Sequence, residues 1–222
     1  MMATPMEIEK SVKEILQTIP SHVTLLAAAK TRSMEEVEAV IGAGVTHIGY
    51  NYVQEALPFI ESIGQRATWH MIGHLQRNKA KVTVQNFDMI ETVDSWKLAQ
   101  ALEKICAQEN KTIPVLIEIN SGREENKTGV FPEKVEELVT QITTLKFVQV
   151  HGLMTMGPRF GDPKDSRPFY HKTRQIFEQL KQLNNPNITM QTLSMGMSNS
   201  YQVAIEEGAN LIRIGTKLFG ER

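Results

Sequence analysis

A chain of 222 residues, 41% hydrophobic and 22% charged, has the makeup of an ordinary globular protein with room for one large α/β domain. A formal net charge of −1 gives no overall field for recruiting nucleic acid or an anionic membrane, and a lone cysteine, Cys106, excludes a disulfide framework or a thiolate metal cluster. No apolar run approaches the ~18 residues of a membrane span and no apolar leader precedes a cleavage site, so a cytoplasmic protein is expected.

The opening segment, MEIEKSVKEILQTI, has helical spacing. It leads into TLLAAA (24–29), the first of eight short apolar runs. The others are HIGY (47–50), TWHMIG (68–73), MIETV (89–93), PVLIEIN (114–120), VQVHGLMTM (148–156), TLSMG (192–196) and NLIRIG (210–215). Between them lie segments with an apolar stripe, such as Val135, Leu138, Val139 and Ile142, or Phe169, Ile176, Phe177 and Leu180. Strands that alternate with helices imply a parallel sheet, since each crossover needs a helix, and eight is the number that closes a (β/α)8 barrel. The expectation is one TIM-like barrel domain over residues 1–222 with an additional N-terminal helix. A doubly wound open sheet would carry a glycine fingerprint after the first strand, and AAAKTRS contains no glycine. The longest connection, residues 156–168, follows strand six and is placed to cover the barrel mouth.

Sites in such barrels collect at the C-terminal strand ends. Strand one runs into Lys30. A lysine there either marks the exit to solvent or presents an amine that is desolvated to react as a Schiff base. The next ends offer Asn51, His74 and Asn120. The last two, SMGMSNS and RIGT, bring Ser194, Ser198, Gly215 and Thr216 to the loops after strands seven and eight, a recurrent phosphate position in this fold. Arg213 alternates with apolar residues along its strand, so it faces the barrel interior or the helix layer. It needs acceptors, from Glu91 or Glu118 as an ion pair or from a ligand. A metal site at His70 and His74 is disfavoured because no carboxylate pattern accompanies the pair. The basic stretch Gln76–Lys81 reads first as a solvated helix face, and second as a docking or exchange surface. A reactive lysine, a phosphate cradle and an inward arginine together resemble a pyridoxal 5′-phosphate site.

The motifs AAAKT, GYNYVQEAL, WHMIGHLQRNKAK, INSGREENKTG, HGLMTM, LSMGMSNSYQVAIEEGA and IRIGTKLFG extend this to nearly the whole chain. In them the sequence resembles the pyridoxal phosphate homeostasis protein family, single-domain relatives of the alanine racemase N-terminal barrel. The resemblance implies that Lys30 is the Schiff-base lysine and that Arg213 faces the pyridine nitrogen. It further implies that Ser194, Gly215 and Thr216 contact the phosphate, with Asn51 and His74 in the pocket. Its implied role is holding the cofactor available yet harmless, as a carrier or buffer without strong catalysis. The expected partners are pyridoxal phosphate and the apo-enzymes that use it, with no nucleic acid and no membrane, and the expected state is a monomer. Three positions depart from the usual pattern: Tyr50 stands in place of a carboxylate, Arg123 in place of an acid, and Ser200 in place of an aspartate.

An arginine is effectively always protonated, so at a pyridine nitrogen it can only donate and leaves the ring a weak electron sink. Racemisation needs a base on each face of its substrate. The full racemases take one from a second domain that this sequence lacks, so efficient racemisation is not expected. A slow pyridoxal-phosphate enzyme, such as a vestigial racemase, is the alternative, and a cofactor-free Schiff-base aldolase is the third reading.

Overall fold

The computed structural model describes residues 3–124, 127–158, 161–183 and 185–221. Thr4 starts the first helix, α1 (Pro5–Thr18). Its hydroxyl accepts from the Glu7 amide while the Glu7 carboxylate takes the Thr4 amide at 2.7 Å, a reciprocal cap. Ile8, Val12 and Ile15 fall on one face of α1 and pack it against α2 (Met34–Gly42) and the last helix, α9 (Thr216–Phe219).

Between these lie β1 (Thr24–Ala28), β2 (His47–Tyr50), β3 (Thr68–Met71), β4 (Met89–Val93), β5 (Ile113–Ile119), β6 (Val148–Thr155), β7 (Ile188–Ser194) and β8 (Leu211–Ile214). Each pairs in parallel with the next, and β8 closes on β1, giving the expected eight-stranded barrel. The outer helices are α3 (Val53–Ile63), α4 (Ala80–Asn86), α5 (Trp96–Glu109), α6 (Val135–Ile142), α7 (Arg167–Leu180) and α8 (Tyr201–Glu206). No described helix is long and apolar enough to cross a membrane.

Two differences from the expected strands have physical reasons. β7 begins at Ile188, four residues before the apolar run TLSMG, because its first half alternates buried Ile188 and Met190 with exposed Thr189 and Gln191. A half-exposed strand does not read as a continuous apolar run. Ala29, Gly73, Asn120 and Gly215, expected within strands, lie just beyond them in the turns that form the mouth. Arg159 and Phe160, within the connection expected to cover that mouth, lie outside the described residues, as do Glu125 and Asn126 of the INSGREENKTG motif.

The main apolar core is the shell between strands and helices, built by outward residues such as Ala27, Ile48, Trp69, Ile117, Leu193 and Ile212. The inward positions differ in kind. Leu26, Leu116, Met154 and Leu211 are buried apart from that shell, and they share the barrel interior with His70, Glu91, Ser194 and Arg213. Barrels of this type are usually filled by layers of branched aliphatic residues. This one is filled largely by polar groups.

β6 carries an irregularity between Val150 and Gly152 in its pairing with β7. A Cβ at Gly152 would lie 1.8 Å from the Thr192 carbonyl oxygen, and its φ of +157° is one that side chains seldom adopt. Gly152→Ala is expected to force β6 from β7 and destabilise the protein by about 2–4 kcal/mol. Urea unfolding measures this, and an unchanged midpoint would refute the close-approach account.

Candidate functional site

A continuous chain of hydrogen bonds runs through the barrel interior. His47 Nδ1 lies 2.9 Å from His70 Nε2, and His70 Nδ1 lies 2.7 Å from Glu91 Oε1. The Ser194 hydroxyl donates to Glu91 Oε2 at 2.6 Å. Arg213 donates from Nη1 to the Ser194 oxygen and from Nη2 to the Thr155 carbonyl at 2.9 Å. Strand alternation brings this about, because residues two apart on β3, β4, β7 and β8 share the inner face. Arg213 is only 5% exposed, and its Nη1 lies 3.9 Å from Glu91 Oε2. It is therefore an interior arginine, with Glu91 as the carboxylate that balances it.

The charges within this chain follow from burial and partners. Burial works against ionising Glu91, but the bond and charge of His70, the charge of Arg213 and the Ser194 hydroxyl outweigh it and hold the carboxyl below its ordinary range. An ionised Glu91 requires donors at both oxygens, so His70 carries its proton on Nδ1 and Ser194 points its hydroxyl hydrogen at the carboxylate. His47, farther from the carboxylate, is pushed down to about 4, first by burial and then by His70.

Above this chain lies the mouth. Lys30 follows β1 by two residues and is half-buried. The next residue, Thr31, holds the left-handed conformation at φ +61°, rare for a β-branched side chain, and its amide donates to the Glu55 carboxylate. Arg32, buried, donates to the Phe219 carbonyl at 3.2 Å and the Gly220 carbonyl at 2.9 Å, and pairs with Glu36 at 3.2 Å. The turn that carries Lys30 is thereby tied to the end of α9. β8 runs beside β1, and a Cβ at Gly215 would lie 3.5 Å from the Ala28 carbonyl. There the Ser198 hydroxyl accepts from the Gly215 and Lys217 amides, each at 3.2 Å. Two amides aimed at one oxygen form an acceptor-binding corner beside the lysine turn, and Thr216 is exposed next to it.

Across the mouth, Asn51 is half-buried after β2 and lies with Gly73 and His74 along a cleft of about 390 Å³. His74 is exposed, with Nδ1 3.7 Å from Asp94 Oδ2. His70 and His74 do not converge, since the first is inside the barrel and the second on its rim. Glu118 is buried at the end of β5. Its Oε1 accepts from the Thr128 hydroxyl at 2.9 Å, while Oε2 meets no partner among the described residues. Burial raises its proton affinity, and the charge of Asp94 adds to this against the Thr128 bond.

Ser194 and Ser198, both expected near the final turns, take different places. Ser194 is fully buried within the interior chain and committed to Glu91 and Arg213, and the hydroxyl that faces the Gly215 turn is that of Ser198. The sequence signal for this was the four-residue spacing in SMGMS, which separates the last inward strand position from the turn. His70 also went unrecognised as a carboxylate partner. Its inward position, three before the end of TWHMIG, was the available clue.

Over residues 6–222 the sequence matches the family described as alanine racemase, N-terminal domain. The pyridoxal phosphate homeostasis protein of Aquifex aeolicus is 41% identical over 199 residues, 89% of this chain and 86% of that one. Its namesake in Synechocystis is 38% identical over 211 residues, 94% of this chain and 96% of that one. The chain belongs to the pyridoxal phosphate homeostasis protein family. Among solved structures, PipY of Synechococcus elongatus with pyridoxal phosphate bound is similar with a TM-score of 0.87 at 31% identity, covering 96% of this chain and 100% of that one. An alanine racemase of Clostridium difficile gives a TM-score of 0.80 at 13% identity, over 97% of this chain and 57% of that one, a likeness of fold alone.

The three positions expected to depart from the family pattern sit in local structure. Tyr50 is buried facing the helix layer, with its ring 6.3 Å from Trp69 and 5.3 Å from Phe59, and its hydroxyl has no partner among the described residues. Arg123 forms a two-pronged exposed pair with Glu133 at 2.9 Å. Ser200 shares a buried hydrogen bond with the Tyr170 hydroxyl at 2.8 Å.

The depressed His47 value fixes a pH dependence. As pH falls from 6.5 toward about 4, the unfolded chain takes up a proton at this position that the folded chain refuses, so stability declines across that window. His47→Gln is expected to flatten the decline when urea midpoints are compared between pH 7 and pH 4.5. Parallel curves for the two proteins would place the acid sensitivity elsewhere.

Proposed function

We propose that the protein binds pyridoxal 5′-phosphate at this mouth, holds it as a Schiff base on Lys30, and serves as an intracellular carrier or buffer of the cofactor without strong catalysis. The observation that carries this reading is the convergence of the Gly215 and Lys217 amides and the Ser198 hydroxyl beside the turn that bears Lys30. That donor set fits a phosphate, which needs several N–H and O–H donors on one small group. The family name and the cofactor-bound PipY relative support the same ligand.

When bound, pyridoxal phosphate supplies an aldehyde that condenses with a primary amine with loss of water. Lys30 is the amine for that bond, and the Glu55 and Arg32 contacts hold its turn in place. Gly215, Thr216 and Ser198 would hold the phosphate, Arg213 would donate to the ring nitrogen, and Asn51 and His74 would line the open side. Because Arg213 keeps its protons, it cannot neutralise a protonated ring nitrogen as a carboxylate would, and this disfavours carbanion chemistry. The open cleft beside Asn51 and His74 suits a ligand that must leave again.

A slow reaction of racemase type is the second reading, and Glu118 is the observation that favours it. A buried carboxyl with raised proton affinity and an oxygen that has no partner among the described residues, coupled electrically to Arg213, is a group able to hand over a proton.

An absorbance spectrum beside that of Lys30→Ala tests the first reading. A near-visible band lost in the variant is expected, and a wild-type protein that stays colourless with added cofactor would overturn it. The carrier role predicts that an apo-enzyme takes cofactor from the loaded protein faster than the protein releases it alone. Equal rates would leave a buffer but no carrier. D-amino-acid formation that requires Lys30 and is lost in Glu118→Gln would favour the enzyme instead.

A further inference from the structure

The interior chain ends at the arginine that faces the proposed ligand, yet most of its members cannot touch that ligand. We infer that Glu91, acting through Ser194 and held by His70, is a positioning residue that fixes the Arg213 guanidinium beneath the mouth. This rests on the pyridoxal-phosphate reading for its consequence, though not for its geometry.

A long arginine side chain has many rotamers, and a donor to a ring nitrogen must present one edge in one place. Here both terminal nitrogens are committed, one to the Ser194 oxygen and one to the Thr155 carbonyl at 2.9 Å. Ser194 can accept from Arg213 in this geometry because its own hydrogen goes to Glu91 at 2.6 Å. Glu91 is oriented in turn by His70 at 2.7 Å, which His47 steadies from the start of β2 at 2.9 Å. The charged and titratable groups that face this chain are His47, His70, Glu91 and Arg213, with Asp88 acting on His47 and Glu118 on Arg213. A passive ion pair would need only proximity. The Glu91–Arg213 separation of 3.9 Å, bridged by a hydroxyl that bonds both, is instead a directional arrangement.

Glu91→Gln preserves shape but cannot accept from both His70 and Ser194 unless one bond reverses, and Ser194→Ala removes the bridge alone. In the ligand-free protein, the guanidinium N–H resonances of Arg213 are expected to be resolved in the wild type and averaged in both variants, with unchanged circular dichroism. Titration with pyridoxal phosphate is expected to show about tenfold weaker binding for Glu91→Gln, together with a changed pH profile of the near-visible band. Glu91→Gln in an Arg213→Gln background should then cost nothing further, because its effect passes through the arginine.

Unchanged Arg213 resonances in both variants would overturn the inference, as would losses that multiply in the double variant. If Glu91→Gln does not fold, Ser194→Ala carries the same comparisons. A wild type that binds no cofactor would remove the proposed function while the resonances still decide the positioning role.

Discussion

Everything in this barrel is arranged around two opposite charges that cannot be left alone inside it. Glu91 on β4 and Arg213 on β8 are both buried, and each would be costly without the other. Their partners come from β3, β6 and β7, so five of the eight strands must be in register for the chain of bonds to close. An interior of branched aliphatic residues would be at least as stable. The polar interior is better understood as a way to hold a guanidinium in one orientation under the mouth. The outward shell of apolar residues supplies the stability that such an interior does not.

The same division of labour appears at the mouth. Apart from Arg213 on β8 and Thr216 at the start of α9, the groups proposed to meet a ligand sit on turns, while the contacts that hold those turns lie deeper or farther along the chain. Lys30 is placed by neighbours: Thr31 in a strained conformation caught by Glu55, and Arg32 bonded to carbonyls at the end of α9. α1 packs on that same last helix, so the first and last helices jointly support the lysine turn. Backbone strain such as that at Thr31 persists only where surrounding contacts impose it.

Tyr50, Arg123 and Ser200, the positions expected to depart from the family pattern, are taken up by an aromatic cluster, an exposed ion pair and a buried hydroxyl bond. None of these lies in the Glu91–Ser194–Arg213 chain or at the Gly215 corner. The Tyr50 hydroxyl, without a partner among the described residues, is a cost at one of these positions, since a buried donor without an acceptor is unfavourable.

The alternation of apolar runs with helical stripes determined the barrel by itself, because a parallel strand pair demands a crossover helix and eight such pairs close. That Lys30 and the two final turns lie at strand ends was also legible from short-range periodicity, whereas Arg213 read as facing either the barrel interior or the helix layer. Glu91 was legible only as one of two candidate partners for Arg213. The half-exposed start of β7 was hidden by its alternating pattern. Only the tertiary structure decided that Glu91 rather than Glu118 closes the chain, that His70 orients it, and that Ser198 rather than Ser194 faces the Gly215 turn. Those choices depend on how strand tilt and stagger bring residues from opposite walls within hydrogen-bond reach, a distance across the barrel that no spacing along the chain encodes.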